Sequence, residues 1–464
     1  MEQSIVTPSP KGRAGVGLKI AHIIPGSGGS FYCGNCMRDS KFVRALKDLG
    51  HQVIKVPLYL PIFDDAHDLD EVPVFYGAVN LYLKQQFPIF RHMPAFVEHA
   101  LDSKSVLEMA ARKAGSTRAK GLEGMTISML LGEDGGQKEE LERLVDWLAD
   151  EAKPDVVHLS NALLLGLAHR IKQRMSVTVI CSLQDEDVWV DAMDDHFRKE
   201  VWDLMSERGK DVDVFIPVSD YFSAEIHQRM VIPESKMQTV YLGVDTADYL
   251  PKPVAEKGPM IGYLSRMCEE NGLAVLVDAF ILLRKDPKYF AVKLKITGGK
   301  TGDDLQFIKE QKRKLEKVKL GSDVFWVDEF EGEERQKFFD SVRLISVPVL
   351  NGEAFGLYML EAMASGIPMV QPALGAFPEV IEISGGGAIY GENKPELLAK
   401  ALGELIFDDV RLQELSAAGI AGVKAHFDIH AQAKKMVEVY ERVLKSRKIS
   451  ATKAPSHEEN NFKL

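Results

Sequence analysis

Two glutamates near the start of one apolar segment are placed to do chemistry. In NGEAFGLYMLEAMASGIP, residues 351–368, Glu353 precedes a helix-type pattern and Glu361 lies within it among apolar neighbours. A carboxylate on an apolar helix face is costly unless hydrogen-bond donors reach it, and a pair of ligand hydroxyls would supply such donors. A solvent-facing acid or a structural cap explains the same spacing, so the residues alone leave both interpretations open.

The same segment predicts a strand, a loop and a helix. RLISVPVL is typical of a strand, NGEAFG of the loop beyond its carboxyl end, and LYMLEAMAS of a helix that stops at Gly366. The amides of Phe355, Gly356 and Leu357 then lie near the helix start, where unpaired donors and the helix dipole favour anions. We therefore expect the helix start to favour an anion and Glu353 to project from the loop into the cleft.

A glycine-rich turn follows the first predicted strand in IIPGSGGSFYCGNCMRDS. Gly28 and Gly29 would let the backbone approach a ligand closely. The dinucleotide fingerprint would need a glycine where Phe31 stands, and no acid ends the next strand to hold a ribose. The pattern thus argues against NAD, and a tight turn without ligand contact remains an equal alternative.

The elements that must position these residues alternate between apolar, Val- and Ile-rich runs and helix-type segments. This alternation predicts an α/β fold with two doubly wound domains whose parallel sheets face a central cleft. The strand candidates are LKIAHIIP, HQVIKVPLY, DVVHLSN, VTVICSL, DVFIPVS and MQTVYLG, then MIGYLSR, VKLKITGG, DVFWVDEF, LISVPVL and PMVQPA.

A proline-rich, mixed-charge stretch, residues 246–259, separates the two sets of strands and is interpreted as a linker. The first domain is assigned to residues 18–245 and the second to 260–425. A flexible leader is predicted over 1–17 and a disordered tail over 446–464. Residues from about 60 to 136 break the alternation; the pattern favours added packing on the first domain, and a substrate-specificity wall is the alternative.

Composition narrows the function classes. The formal net charge of −11 and the pI of about 5.7 argue against a long nucleic-acid partner. No apolar run reaches the length of a membrane helix, and the start of the chain lacks a signal-peptide core. Four cysteines in 464 residues do not form a disulfide framework. These features predict a soluble, cytoplasmic protein.

Several segments together resemble retaining glycosyltransferases of family 4, which have the GT-B fold of two Rossmann-like domains around a donor cleft. EAFGLYMLE resembles the E-x7-E motif of that family. Further similar segments follow in the family's order: the glycine loop with its helix, KPDVVHLSN, VYLGVDTADY, IGYLSRMCEENGLAVLVDAF and HFDIHAQAKKMVEVYERVL. The resemblance spans roughly residues 18 to 445 and implies that a terminal helix, 426–445, crosses back to the acceptor-side first domain.

The resemblance implies a role for each matching residue toward a nucleotide diphosphate sugar. Glu361 would bind the ribose hydroxyls, and Glu353, with the amides that follow it, the sugar hydroxyls. Arg266 would face the diphosphate, which suits a bidentate guanidinium. Gly28 and Gly29 would bring the first domain's backbone to the phosphates or the acceptor.

The chain departs from the family at two positions. Asn271 precedes the glycine that opens the donor-domain helix, where the family usually has lysine, and Gln184 ends a first-domain strand where a histidine is frequent. Both amides still donate hydrogen bonds without charge. Asn271 is therefore kept among the donor-binding residues, and Gln184 joins Glu353 and Arg266 as the catalytic residues.

The family's chemistry needs no protein nucleophile, cofactor or metal, so none is expected. The acid pairs Asp68 and Asp70, and Asp185 and Asp187, are interpreted as loop acids. The sequence does not reveal the sugar, the base, the acceptor or the oligomeric state, and peripheral membrane contact stays open.

Two other function classes remain. The departures at Asn271 and Gln184 keep open a sugar-nucleotide-binding protein with little or no transfer, and CGNC keeps open a redox or metal protein. A lone C-x2-C is a weak signal. We expect the four cysteines to be packing residues beside the ligand, without zinc or a required disulfide; they are Cys33, Cys36, Cys181 and Cys268.

Overall fold

A computed structural model describes residues 17–25, 34–58 and 121–453 of the chain. Two parallel sheets organise these residues. The first contains β1 (Lys19–Ile24), β2 (Gln52–Pro57), β3 (Val156–Leu159), β4 (Thr178–Leu183) and β5 (Val214–Pro217). The second contains β6 (Met260–Leu264), β7 (Lys293–Thr297), β8 (Val324–Trp326), β9 (Leu344–Ile345), β10 (Met369–Pro372) and β11 (Gly387–Tyr390).

The α-helices between and after the strands cover the sheets. They are α1 (Gly34–Asp48), α2 (Glu123–Leu131), α3 (Lys138–Trp147), α4 (Ala168–Met175), α5 (Glu186–Asp191), α6 (Asp195–Arg208), α7 (Asp220–Met230), α8 (Leu273–Leu283), α9 (Leu305–Lys317), α10 (Gly332–Ser341), α11 (Leu357–Ala364), α12 (Phe377–Ser384), α13 (Pro395–Leu405), α14 (Asp409–His426) and α15 (Ile429–Lys453). No helix among the described residues is both long and apolar enough to cross a membrane.

Both sheets have doubly wound strand orders. The first runs β2-β1-β3-β4-β5, and the second, read from β8, runs β8-β7-β6-β9-β10-β11. Each order reverses direction at one place, between β1 and β3 in the first sheet and between β6 and β9 in the second. The predicted α/β class with two Rossmann-like parallel sheets is confirmed.

The strand predictions are largely confirmed, with two corrections. The sixth candidate of the first half, MQTVYLG, is not a strand; it follows β5 through single hydrogen bonds from the amides of Gln238 and Val240, and only one isolated bridge, at Met237, forms. In the second sheet, β11 was not predicted because its Gly387–Tyr390 segment is short, partly exposed and begins with glycine.

The last helix joins the two halves of the molecule. α15 packs on α1 of the first domain, where Ile429, Ala433 and Tyr440 lie in a buried cluster with residues of β1 to β5. The hydroxyl of Tyr440 lies 2.6 Å from His158 Nδ1 inside this cluster. The helix continues to Lys453, through residues 446–453 that the sequence assigned to a disordered tail.

Candidate functional site

The candidate site lies where the strand order of the second sheet reverses, between β6 and β9. The loop after β6 carries Arg266 and Asn271, and the loop after β9 carries Glu353. In open α/β sheets, ligands bind beyond the carboxyl ends of the strands at this reversal. The topology therefore gathers at one edge three of the residues that the sequence predicts for donor binding.

Glycines hold the Glu353 loop in its conformation. Gly352 and Gly356 have φ values of +78° and +86°, which is a backbone conformation that residues with a Cβ atom rarely adopt. A Cβ added at Gly375 would lie 2.6 Å from both the amide nitrogen and the carbonyl oxygen of Glu353. The Glu353 carbonyl also accepts a hydrogen bond from the Ala376 amide at 3.0 Å. The loop is thus packed backbone to backbone against the start of α12.

Two side-chain amides fix the same loop nearer to the sheet, and sequence reasoning missed both. Gln371 in β10 pairs with both backbone groups of Val347, at 2.9 and 3.1 Å. Asn393 Nδ2 donates to the carbonyls of Pro348 and Val349. A signal for the first was present, because Gln371 is a polar residue inside the apolar run PMVQPA.

The loop of Glu353 contacts the first domain, because the carbonyl of the next residue, Ala354, accepts a hydrogen bond from the Ser219 hydroxyl at 2.6 Å. Burial, and then the negative charge of Asp185 across the domain boundary, raise the pKa of Glu353 from 4.5 to about 8. The carboxyl group is therefore largely protonated at neutral pH in the absence of a ligand, and can donate a hydrogen bond as well as accept one. That Glu353 projects into the cleft stays a prediction.

Gln184 directly follows β4, on the opposite side of the domain boundary, and is buried. Its Nε2 donates to the Ser160 carbonyl at 2.9 Å, and its backbone amide donates to Glu186 at 2.6 Å. The second oxygen of the Glu186 carboxyl accepts from the Ala162 amide. Burial raises the pKa of Glu186 to about 8. These bonds fix the orientation of the loop that carries Gln184 and Asp185.

Asp185 and Asp187 were interpreted from the sequence as loop acids, but Asp187 lies in α5 and Asp185 directly precedes that helix. Asp185 adopts a left-handed conformation, with φ +56°. Burial and the charge of Asp185 raise the pKa of Asp187 to about 6. Asp187 Oδ1 is buried without a hydrogen-bond partner among the described residues. Sequence reasoning missed the effect of the Asp185 charge on the pKa of Glu353, although three consecutive acids directly after a strand end were a signal.

Arg266 is held rigidly at the edge of the second sheet. Its guanidinium makes a bidentate pair with Asp304, at 2.8 and 2.9 Å, and donates to the Thr301 hydroxyl at 3.0 Å. Burial alone would raise the pKa of Asp304, but the hydrogen bonds from Arg266 and Thr301 outweigh it and lower that pKa. Asp304 and Thr301 were not predicted; they lie in TGGKTGDD after β7.

Asn271 lies one residue before the glycine that opens α8. Its Nδ2 donates to the Ser265 hydroxyl at 2.7 Å. Gly272 has φ +73°, and a Cβ there would lie 1.7 Å from the Pro348 carbonyl oxygen. The start of α8 therefore packs directly on the loop after β9, and a side chain at this glycine is excluded.

Glu361 lies inside α11 and is only 1% exposed. One oxygen accepts a hydrogen bond from the Tyr249 hydroxyl at 3.0 Å, and the other forms an ion pair with Arg335 of α10. The carboxylate on an apolar face thus has hydrogen-bond and ion-pair partners within the protein, and it is neither the solvent-facing acid nor the structural cap that the sequence left open. Ribose binding by Glu361, as the resemblance implies, requires that the ligand shares or replaces one of them.

The predicted amides lie at the start of α11. Gly356 occupies the N-cap and, having no side chain, cannot cap the first turn. The ring of Phe355 packs between Tyr241 and Phe427, with centroids 6.3 and 5.8 Å away. The Phe355 side chain therefore joins the two domains, and the backbone around it is anchored.

The remaining predicted residues divide into two groups. Gly28, Gly29 and Cys33 lie outside the described residues. Cys181 and Cys268 are buried free thiols, and burial raises the pKa of Cys268 to about 12, so it stays a neutral thiol. In the part of the chain that the structure describes, no three His, Cys, Asp or Glu residues group as metal ligands; the absence of a metal stays a prediction.

Family models match both halves of the chain. Residues 135–248 match the model described as Glycosyltransferase Family 4, and residues 258–408 match Glycosyl transferases group 1. Together the two matches span more than half of the 464 residues. The second match contains β6, β9 and the loops that carry Arg266 and Glu353.

Individual relatives are more distant. The chain is 29% identical to a lipopolysaccharide core biosynthesis mannosyltransferase of Rhizobium meliloti over 44% of its own length and 60% of the relative's. It is 25% identical to a D-inositol 3-phosphate glycosyltransferase of Corynebacterium urealyticum, over 49% of this chain and 56% of the relative. The chain thus spans little more than half the length of these curated relatives.

Solved structures match over a longer range. Sucrose-phosphate synthase from Thermosynechococcus elongatus has a TM-score of 0.67 at 17% identity, covering 92% of this chain and 99% of that one. The Anabaena HepE protein, solved with UDP-glucose, has a TM-score of 0.63 at 16% identity, covering 92% of this chain and 100% of that one. At these identities the likeness shows the fold. With the GT-B fold and both family domains in order, the chain belongs to the family 4, group 1 glycosyltransferases.

Proposed function

We propose that the chain is a retaining hexosyltransferase that moves a sugar from a nucleotide diphosphate sugar to an acceptor hydroxyl. The observation that carries this proposal is the position of Glu353. Glu353 follows β9, at the place where the strand order of the second sheet reverses. The negative charge of Asp185, in the first domain, helps to raise the pKa of Glu353. A sugar bound between these loops would meet Glu353 on one side and the Gln184 loop on the other.

The diphosphate would lie against the loops after β6 and β9. The guanidinium of Arg266 is already oriented by Asp304, so little side-chain entropy is lost when it binds an anion. The uncapped first turn of α11, after Gly356, adds backbone donors. Asn271 would contribute a neutral contact, and Glu361 would reach the ribose from the second turn of the helix.

The transfer requires positioning and stabilisation of negative charge. The bond between the anomeric carbon and the diphosphate oxygen breaks, and a bond from the acceptor oxygen to the same carbon forms on the same face. The acceptor's proton passes to an oxygen of the departing diphosphate. Fixed donors near that diphosphate stabilise the charge that develops as it leaves. We propose that no divalent metal takes part, so activity should persist in EDTA.

A binding protein with weak or no transfer is the second candidate. One observation favours it: the side-chain amides of Asn271 and Gln184, the two residues that depart from the family pattern, already donate hydrogen bonds to other groups of the protein. Asn271 donates to Ser265 and Gln184 donates to Ser160. The charge that the family's usual lysine and histidine would bring is absent, and leaving-group stabilisation would be weaker.

A nucleotide-sugar panel scored by thermal shift tests the proposal, because a ligand stabilises the state that it binds. The panel should include UDP-glucose, bound by the Anabaena neighbour, and nucleotide-linked mannose, after the rhizobial mannosyltransferase. One donor is expected to raise the unfolding temperature of the wild type. It should raise that of Glu382→Gln, an exposed control in α12, by the same amount, and that of Glu353→Gln by less. Release of nucleoside diphosphate then separates a transferase from a binding protein, and no shift with any donor contradicts both.

A further inference from the structure

A carboxylate from the second domain caps a helix of the first. Glu379, in the first turn of α12, reaches the start of α7: one oxygen accepts from the Asp220 amide and the other from the Tyr221 amide, each at 2.9 Å. These amides have no partner within their own helix, and the helix dipole favours a negative charge at this end. The contact therefore satisfies both oxygens of Glu379 and two otherwise unpaired donors.

The N-cap of the same helix makes a second link between the domains. The Ser219 hydroxyl accepts from the Phe222 amide at 3.0 Å and donates to the Ala354 carbonyl of the second domain at 2.6 Å. Ser219 is fully buried, so this hydrogen bond is shielded from water. The first amides of α7 are thus bonded by Ser219 at their own N-cap and by Glu379 of the second domain, and Ser219 is also bonded to Ala354 of the second domain.

Both links meet the second domain beside Glu353. Ala354 is the next residue in the chain, and Ala376, at the start of α12, donates its amide to the Glu353 carbonyl at 3.0 Å. The Glu353 loop is therefore held between the segment bonded to Ser219 and the helix that carries Glu379. If the second domain turned away from the first, the hydrogen bonds of Glu379 and Ser219 across the boundary would be lost together, and the loop of Glu353 would move away from the first domain with them.

We propose that Glu379 and Ser219 form a clasp between the domains and are positioning residues for the sugar subsite. While the clasp is closed, Glu353 faces the loop of Gln184 and Asp185, and the subsite has both of its walls. When it opens, the second domain keeps the nucleotide contacts of Arg266, but the sugar loses its first-domain side. This inference rests on the proposed function for its effect on the sugar, and on geometry alone for the effect on domain arrangement.

The test compares Glu379→Ala and Glu379→Gln with Glu382→Ala, which removes an exposed acid from the same helix. Small-angle X-ray scattering of the free protein measures the domain arrangement. Glu379→Ala should increase the radius of gyration, Glu379→Gln should do so less, because its amide oxygen still accepts from one backbone donor, and Glu382→Ala should not.

Kinetics with the donor that the panel identifies give the second readout. Glu379→Ala should raise the KM for the nucleotide sugar about tenfold, while affinity for the nucleoside diphosphate alone changes less than about threefold. Glu379→Gln should recover part of the loss. A purely structural role would lower stability and affect both ligands alike, which would overturn the proposal.

The two proposals fail separately. If no nucleotide sugar binds to the wild type, the proposed function fails, and scattering still decides the clasp. If Glu379→Ala and Glu382→Ala give the same radius of gyration and the same kcat/KM, the clasp is refuted while the transferase stands. Circular dichroism of each variant confirms that it is folded, and Glu379→Gln provides the conservative variant if the alanine variant is not.

Discussion

Replacing Glu361 by alanine should destabilise the protein substantially, because it breaks a buried ion pair. The carboxylate is 1% exposed and the Arg335 side chain 13% exposed. Removing one partner of a buried pair costs about 3–5 kcal/mol, because the other charge remains without compensation. Because the Arg335 side chain is still partly exposed, we expect a loss of unfolding free energy at the lower end of this range, about 3 kcal/mol. The Tyr249 hydroxyl also loses its acceptor, which adds about 1 kcal/mol.

Urea unfolding of matched variants measures this loss. Glu361→Ala should lose about 3–4 kcal/mol of unfolding free energy relative to the wild type. The double variant Glu361→Leu with Arg335→Met should recover most of it, because replacing both charges with apolar groups of similar volume leaves no buried charge. The exposed Glu382→Ala should change little. A loss below about 1 kcal/mol for Glu361→Ala, or a double variant no more stable than the single one, would show that the Glu361–Arg335 pair contributes little to stability.

The same residue tests the ribose assignment separately. In folded Glu361→Gln, whose side chain keeps the volume of glutamate, affinity for the nucleotide should fall by about 1–3 kcal/mol as charge-assisted hydrogen bonds are lost. Isothermal titration with the nucleoside diphosphate measures this change. Unchanged affinity would leave Glu361 with the structural role alone, as the link between α11, α10 and Tyr249.

Three further predictions concern other parts of the molecule. The pKa of Glu353 is raised from 4.5 to about 8, so between these values the folded chain binds more protons than the unfolded one, and this group makes stability fall as pH rises. Glu353→Gln should flatten that slope in urea unfolding at the two ends of the interval, and an unchanged slope would contradict the assignment. Asn271→Lys should tighten diphosphate binding in titration calorimetry, because a cation is added beside an anion site; weaker binding and slower turnover would show that the Ser265 contact matters more. Tyr440→Phe should cost about 1–3 kcal/mol in thermal unfolding, since His158 loses a buried partner, and an unchanged unfolding temperature would refute this.

The local pattern of apolar residues was enough to predict most strands of the two sheets. Short runs rich in Val and Ile predicted β1 to β10, because such runs suit parallel strands covered by helices on both faces. The segment MQTVYLG has the same composition but lies beside β5 without a regular ladder, and composition does not report hydrogen-bond register. The short β11 has too little apolar sequence to stand out.

The site was predicted in its loops but not in its long-range contacts. Spacing placed Glu353 before a helix and Glu361 within it, and both positions are confirmed. Which group meets Glu361 could not be predicted, because Arg335 and Tyr249 are 26 and 112 positions away in the chain. The same holds for Asp304 beside Arg266 and for Glu379 at the start of α7. Side chains paired across elements depend on tertiary packing, which one sequence without relatives does not reveal.

Time-resolved proton NMR of the first-formed product tests directly whether the protein transfers a sugar with retention. The wild type is incubated with the donor found by the panel and an acceptor alcohol, and the anomeric signal is followed before any mutarotation. We expect consumption of the donor with the anomeric configuration of the sugar retained in the product, and a much slower reaction for Glu353→Gln. An inverted linkage, or a donor that binds but is never consumed, would contradict this expectation.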